Sequence, residues 1–253
     1  MELASAIASD VSGICGGVFS IQIVPPGWIH FELTHSTLAT WLQSLVVGSL
    51  GGDEGDGGDE GDEGDKGDKG DKGNNPCCPM PNAQCPMPHA QCPMPNAPCP
   101  MPNSLFAVQY AHARCCSLVL LAHREGLIKL REPVPNASPA FWSVIAPNPI
   151  PWLNWDGTLR LNHPDERRLI AELVQVVDNI KCPDISGSVK WEKVALNLSQ
   201  AFEKFWSNCR IWGEVKITSP EVAQARLGLL MATQSVLRYV LEENLGGFAP
   251  LEL

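Results

Sequence analysis

The stretch from Val194 to Ile211 reads V-A-L-N-L-S-Q-A-F-E-K-F-W-S-N-C-R-I. Its large apolar side chains recur at positions i, i+3, i+4 and i+7, which predicts an α-helix with one aromatic face. A face of this kind is most often part of the core of a helical bundle, so residue type alone favours a structural role. The residues on this face are Phe202, Phe205, Trp206 and Cys209.

Further helices are predicted on both sides of this stretch. The runs P-D-E at 164–166 and S-P-E at 219–221 favour helix starts, because proline suits the first turn and acidic groups suit the positive end of the helix dipole. The glycine pair at 246–247 then predicts where the last helix stops. The segment from Glu132 to Asp156, rich in Pro, Asn and Trp, predicts an irregular connection. Residues 105–253 are therefore expected to form an all-α bundle without strands. The predicted core stripes are Val108, Ala111, Cys115, Leu118 and Ala122 in one helix, and Leu169, Ile170, Leu173, Val176, Val177 and Ile180 in another.

Four stretches in this region carry a family pattern. Residues 108–114 read V-Q-Y-A-H-A-R, and residues 202–211 read F-E-K-F-W-S-N-C-R-I. Residues 226–237 read R-L-G-L-L-M-A-T-Q-S-V-L, and residues 247–253 read G-F-A-P-L-E-L. In this order they resemble the anticodon-binding (DALR) domain of class I arginyl-tRNA synthetases. The resemblance covers about residues 105–253 and implies the helical bundle of that domain.

The resemblance also implies a set of RNA-contacting residues. In that family the bundle holds the anticodon loop and stacks bases on aromatic side chains, so tRNA, and arginine tRNA in particular, is the expected partner. The matching positions here are Tyr110, Arg114, Phe202, Trp206 and Leu253. Trp206 stands where the family has tyrosine, and Leu253 stands where the family usually ends in methionine. The spacing of Tyr110 and Arg114 allows a ring and a guanidinium to face one base. The alternative is that Tyr110 caps the core and Arg114 pairs with an acidic residue.

Motifs for aminoacylation are missing from the sequence. Class I synthetases activate amino acids with H-x-G-H and K-M-S-K-S motifs, and neither occurs here. The Gly-rich run is acidic and would repel phosphate groups. We therefore expect a protein without the catalytic domain, with no catalytic residues, no cofactor and no metal site. We expect His112 to pack within its motif and not to act as a base.

Residues 1–50 predict a small strand pair followed by a helix. The segments 18–24 and 28–33 alternate apolar and polar residues around the turn signal P-P-G at 25–27. Ser36 is the predicted N-cap of a helix whose apolar residues are Leu38, Trp41, Leu42 and Leu45. Such an element is too small to be stable alone and should dock on a larger body. The sequence P-G-W-I-H-F-E-L at 26–33, followed by W-L at 41–42, is similar to the end of the N-terminal tRNA-contacting domain of the same synthetases.

Residues 51–104 are of low complexity. They contain Gly-Asp triplets, followed by four repeats that begin Cys-Pro-Met-Pro. The triplets lack the proline of collagen and the spacing of calcium loops. The Cys and Met residues could attract copper(I), but the flanking prolines favour an extended, solvated chain. We expect this insert to be disordered and to link the two flanking domains.

The charge distribution and the N-terminal sequence bear on the function of the bundle and on the location of the protein. The net charge of −10 arises outside the bundle, since residues 105–253 carry fifteen acidic and fifteen basic residues. The bundle therefore lacks the basic excess of a protein that grips phosphates, which favours a protein-interaction scaffold as the alternative function. A subunit that completes a synthetase encoded elsewhere is a further alternative. No secretion signal is visible, so we expect a cytoplasmic protein that binds neither membrane nor DNA.

Overall fold

The computed structural model describes residues 2–48, 50, 103–131, 143–182 and 188–252, with the side chains of Asn103 and Ser104 excepted. The protein is mainly helical, as predicted. The repeat segment for which disorder is expected lies almost entirely outside the described residues, and so does Leu253.

The elements follow the predicted order. The helices are α1 (Glu2–Ile14), α2 (His35–Val47), α3 (Asn103–Arg124), α4 (Pro164–Lys181), α5 (Trp191–Asn208), α6 (Glu214–Thr218) and α7 (Pro220–Tyr239). A π-helical turn, Val240–Asn244, extends α7. The strands are β1 (Phe19–Val24), β2 (Trp28–Leu33), β3 (Lys129–Leu130) and β4 (Val144–Ala146).

The bundle core lies where α3, α4, α5 and α7 meet. Helix α7 contacts each of the other three, α3 packs on α5, and α4 packs on α5. The predicted apolar stripes of α3 and α4 are buried, except that Ile180 is only partly covered. The loop at 150–152 closes one side of α7, where Gly228 leaves room for the ring of Trp152. The periodicity of the sequence therefore identified the core faces correctly.

Helix α3 is both long and apolar. The stretch Leu105–Arg124 is the one described helix long and apolar enough to cross a bilayer. Half of its most apolar window is buried in the bundle, as in the core helix of a globular domain.

The N-terminal element docks on the bundle, as predicted. Strands β1 and β2 pair antiparallel, from Phe19 opposite Leu33 to Val24 opposite Trp28. Helix α2 packs on α7 and buries Leu42 within the same core. The two parts are also joined by polar contacts. The side-chain carbonyl of Gln43 in α2 accepts hydrogen bonds from the backbone N–H of Ile150 (3.1 Å) and from Nε1 of Trp152 (2.9 Å).

Two details of the predicted fold are wrong. Helix α2 is capped by Thr34 and not by Ser36, because the extended backbone at Thr34 lets its hydroxyl oxygen accept from the N–H of Thr37 at 3.4 Å. The helical region also contains strands, since β3 pairs with β4. A strand of two residues is too short to show an alternating pattern, so no periodicity indicates it.

Candidate RNA-binding surface

Trp206 lies at the edge of the aromatic face of α5. Phe202 and Phe205 on that face point into the core, whereas Trp206 is only partly buried. The guanidinium carbon of Arg114 lies over the Trp206 ring, 5.3 Å from its centroid. The ring of Trp212 also meets Trp206 edge-on, with centroids 5.7 Å apart and an angle of 76° between the planes. One partly exposed indole thus contacts both a cation and a second indole.

Helix α3 positions Arg114 for this contact. Ala111 and Cys115 on its inner side are fully buried, which turns Tyr110 and Arg114 outward together. Tyr110 is 47% exposed, so it does not close the core. Arg114 makes no ion pair with any residue that the structure describes, which removes the alternative that it pairs with an acidic group there. An arginine stacked on indole at an exposed site is stabilised by about 0.5 to 1 kcal/mol.

Phe202 is a wrong candidate for base stacking. Its side chain is only 2% exposed and belongs to the bundle core. A base could reach the ring only if the helices separated, so Phe202 stabilises the fold beneath the surface. Helical spacing had grouped it with Trp206, but spacing cannot show which part of an apolar face the neighbouring helices cover.

The C-terminal tail lies along α3. Nε2 of Gln109 donates a hydrogen bond to the carbonyl oxygen of Phe248 at 2.9 Å. Two residues further along the tail, the carbonyl oxygen of Pro250 lies 2.8 Å from Nδ1 of His112. The described tail residues therefore run beside Gln109 and His112 on α3, while the predicted contact at Leu253 itself lies outside the described residues.

His112 is a buried structural residue, which agrees with its expected role. Its Nε2 lies 2.9 Å from the side-chain amide nitrogen of Gln234 on α7. Because a proline carbonyl can only accept, Nδ1 carries the hydrogen and Nε2 accepts from Gln234, so the ring is neutral. Burial lowers the pKa of His112, and the hydrogen bond to Pro250 opposes this shift without cancelling it. The imidazole thereby joins α3, α7 and the tail.

A buried ion pair fixes the end of α5 near Trp206. Nε of Arg226 lies 2.6 Å from Oε1 of Glu166, whose side chain is 1% exposed. The other carboxylate oxygen of Glu166 accepts from the backbone N–H of His163 at 2.8 Å, which completes the cap of α4. Nη1 of Arg226 also donates to the carbonyl oxygen of Arg210 at 2.6 Å. Helices α4 and α7 thus hold the chain segment that joins Trp206 to Trp212.

Phe106, Phe248 and Trp212 are aromatic residues of the bundle that the sequence does not single out. Phe106 is 54% exposed, Phe248 is 72% exposed, and Trp212 is partly buried against Trp206. Phe106 precedes Tyr110 by four residues, so the helical spacing that grouped Tyr110 with Arg114 could have found it. The positions of Phe248 and Trp212 depend on how the chain folds back, and no local pattern indicates them.

Comparison with known proteins agrees with this geometry. The family described as the DALR anticodon binding domain matches residues 108–246. The arginine–tRNA ligase of Synechococcus sp. (strain JA-3-3Ab) is 32% identical over 144 residues, which cover 56% of this chain and 21% of that protein. The enzyme of Gloeobacter violaceus is 30% identical over 150 residues, 58% of this chain and 22% of that protein. The chloroplastic/mitochondrial arginine–tRNA ligase of Arabidopsis thaliana is 30% identical over 131 residues, 51% and 16% of the two chains.

No solved structure gives a significant match. The chain spans about a fifth of the length of the curated relatives that it matches. The family match nevertheless covers more than half of this chain and includes α3, α4, α5 and α7, which form the bundle. The chain belongs to the family of DALR anticodon-binding domains.

Proposed function

We propose that the bundle binds tRNA through the surface formed by Tyr110, Arg114 and Trp206, which we call the stacking surface. The observation that carries this proposal is the contact of Arg114 with Trp206, because it joins two family motifs from different helices in one accessible place. An aromatic ring, an indole and a guanidinium plane are the groups on which proteins stack unpaired RNA bases. Phe202 is not part of this surface, and Leu253 remains a proposed contact at the end of the tail.

The charge of the bundle supports a mode of binding that depends on bases more than on phosphates. Acidic and basic residues are equal in number between residues 105 and 253. A protein that neutralises many phosphates loses affinity steeply as salt rises, whereas stacking depends little on salt. We therefore expect the logarithm of affinity to fall with the logarithm of salt concentration with a slope of roughly −1.

Arginine tRNA is the ligand that we propose, because the matched relatives are named arginine–tRNA ligases. We propose a binding role without aminoacylation, since the sequence lacks the H-x-G-H and K-M-S-K-S motifs. We also propose that the chain is divided into an N-terminal element (1–50), a linker (51–104) and a bundle (105–253). A cytoplasmic location is proposed as well, and cell fractionation would test it.

The test is a fluorescence anisotropy titration of the full chain with labelled arginine tRNA at two salt concentrations. Trp206→Ala should weaken binding roughly 5- to 150-fold, the range for one stacked base. Trp155→Ala is the matched control, because Trp155 is 98% exposed in the turn between Asn154 and Thr158. Equal affinity of wild type and Trp206→Ala, or no binding at micromolar protein, would refute the proposal.

A further inference from the structure

Strand β1 forms the outer edge of the N-terminal element. Within the described part of the chain, β1 and β2 make a sheet of two strands. On the side of β2, Phe31 and Leu33 line a cleft whose other wall includes Ile170 and Val174 of α4. Strand β2 therefore lies toward the bundle. Strand β1 packs on β2 and on α1, which leaves it as the outer strand.

The sequence of β1 leaves this edge open to pairing. It reads F-S-I-Q-I-V, with no charged residue and no proline. Its six pairs with β2 follow one another without a bulge. Proteins usually protect an outer strand from further pairing with a lysine, a proline or a bulge. A regular, uncharged strand with unpaired N–H and C=O groups is instead a template for another strand.

One face of the same sheet is incompletely covered. Six large apolar side chains share this face, since they alternate along each strand and lie opposite one another in the register. They are Phe19, Ile21, Ile23, Ile29, Phe31 and Leu33. None of the six is buried, although α1 packs on β1, and the residues that α1 itself buries are the small Ala4 and Ala8. A two-stranded sheet of this kind is marginally stable, and further strands would stabilise it.

We propose that β1 is a dimer interface, at which it pairs antiparallel with β1 of a second copy of the chain to form a four-stranded sheet. A two-fold axis perpendicular to the sheet relates antiparallel copies of one strand and keeps their apolar faces on the same side. With faces matched, the overlap is greatest when the axis passes Ile21 or Gln22. In both registers the two copies of α1 lie on the same face of the joined sheet. The exposed Leu3, Ile7 and Ile14 of each copy then belong to one apolar layer.

The charge of the N-terminal element supports a second copy as the occupant of this edge. Residues 1–50 contain three acidic residues and no lysine or arginine, so they repel the phosphate groups of nucleic acids and anionic membranes. Strand β1 itself is uncharged, so two copies place no like charges opposite each other. A copy also supplies, by symmetry, an edge of equal length with a matching apolar face. This inference does not depend on RNA binding.

The test is the mass of the full chain in solution, measured by sedimentation equilibrium at micromolar concentrations. The wild type should approach the mass of two chains as its concentration rises. The double variant Ser20→Lys and Gln22→Lys should have the mass of one chain, because lysines then lie opposite each other in either register. Both side chains are exposed on the polar face of β1, so this variant should melt as the wild type does.

A charge reversal tests whether the two edges meet directly. The double variant Ser20→Glu and Gln22→Glu should also have the mass of one chain. An equimolar mixture of the lysine and glutamate variants should regain the mass of two chains, because opposite charges then face each other across the strands.

The matched control is the double variant Trp28→Lys and His30→Lys. It adds two lysines to the same face of the sheet, but on β2, away from the proposed axis. It should dimerise as the wild type does. A wild-type mass of one chain at every concentration, a mass above two chains, or a lysine variant of β1 that still dimerises would overturn the proposal. None of these results would bear on RNA binding, which is measured separately.

Discussion

Replacing Arg226 with alanine should destabilise the fold by about 3 kcal/mol, because it leaves the carboxylate of Glu166 buried without its cationic partner. Removing one member of a buried ion pair typically costs 3 to 5 kcal/mol. The lower end applies here, because the Arg226 side chain is 15% exposed and the N–H of His163 still donates to Glu166 after the change. The hydrogen bond from Arg226 to the carbonyl oxygen of Arg210 is lost as well.

The assays are urea unfolding, which gives the free energy of unfolding, and thermal unfolding, which gives Tm, both followed by circular dichroism. For a domain of this size, the expected loss corresponds to a fall in Tm of about 6 to 12 °C. Lys216→Ala is the control, because Lys216 pairs with Glu125 at 2.8 Å on the surface, where both partners are partly exposed. An exposed pair of this kind contributes about 1 kcal/mol at most, so the control should unfold almost as the wild type does.

A double-mutant cycle separates the ion pair from general effects of truncation. Glu166→Gln removes the buried charge, so Arg226→Ala should cost at least 1 kcal/mol less in that background. An Arg226→Ala variant within 1 kcal/mol of the wild type would show that the buried carboxylate of Glu166 does not need its cationic partner. Additive effects of the two substitutions would show that the cost does not arise from the buried charge of Glu166.

Two further substitutions test the packing and the tail. The pKa of His112 is lower in the folded chain than the 6.5 of a free histidine, so its contribution to stability is complete above that value and declines as pH falls below it. The stability advantage of the wild type over His112→Gln, from urea midpoints, should therefore be smaller at pH 5.5 than at pH 7.5, and an advantage independent of pH would contradict this. Gly228→Ala should cost about 1 to 3 kcal/mol, because the new Cβ would lie 2.6 Å from Cη2 of Trp152. Gly13→Ala, with open space around it in α1, should melt at or slightly above the wild-type temperature, and an equal effect of the two changes would contradict the contact.

The sequence predicts the helices of the bundle well, because each has one strongly apolar side. The period of 3.6 residues is enough to place Leu169, Leu173 and Val176 in the core of α4. The same signal is weaker at helix ends. Thr34 and Ser36 are both good N-cap residues, and only the observed backbone angles decide between them.

The candidate site was harder to predict, because exposure depends on neighbours that are distant in the chain. Phe202 and Trp206 share one helical face, yet the packing of other helices buries the first and leaves the second partly open. The stacking of Arg114 on Trp206 likewise joins residues more than ninety positions apart. Local spacing could have found Phe106, but the place of Phe248 follows only from the hydrogen bond to Gln109.

Chemical probing of arginine tRNA bound to the full chain would show where the RNA meets the protein. We predict that unpaired loop bases are protected, because we propose that the stacking surface holds bases and because the bundle has no excess of positive charge for the stems. The protection should disappear with Trp206→Ala and persist with Trp155→Ala. Protection confined to paired stems, or loop protection that survives Trp206→Ala, would contradict a role of this surface in binding unpaired bases.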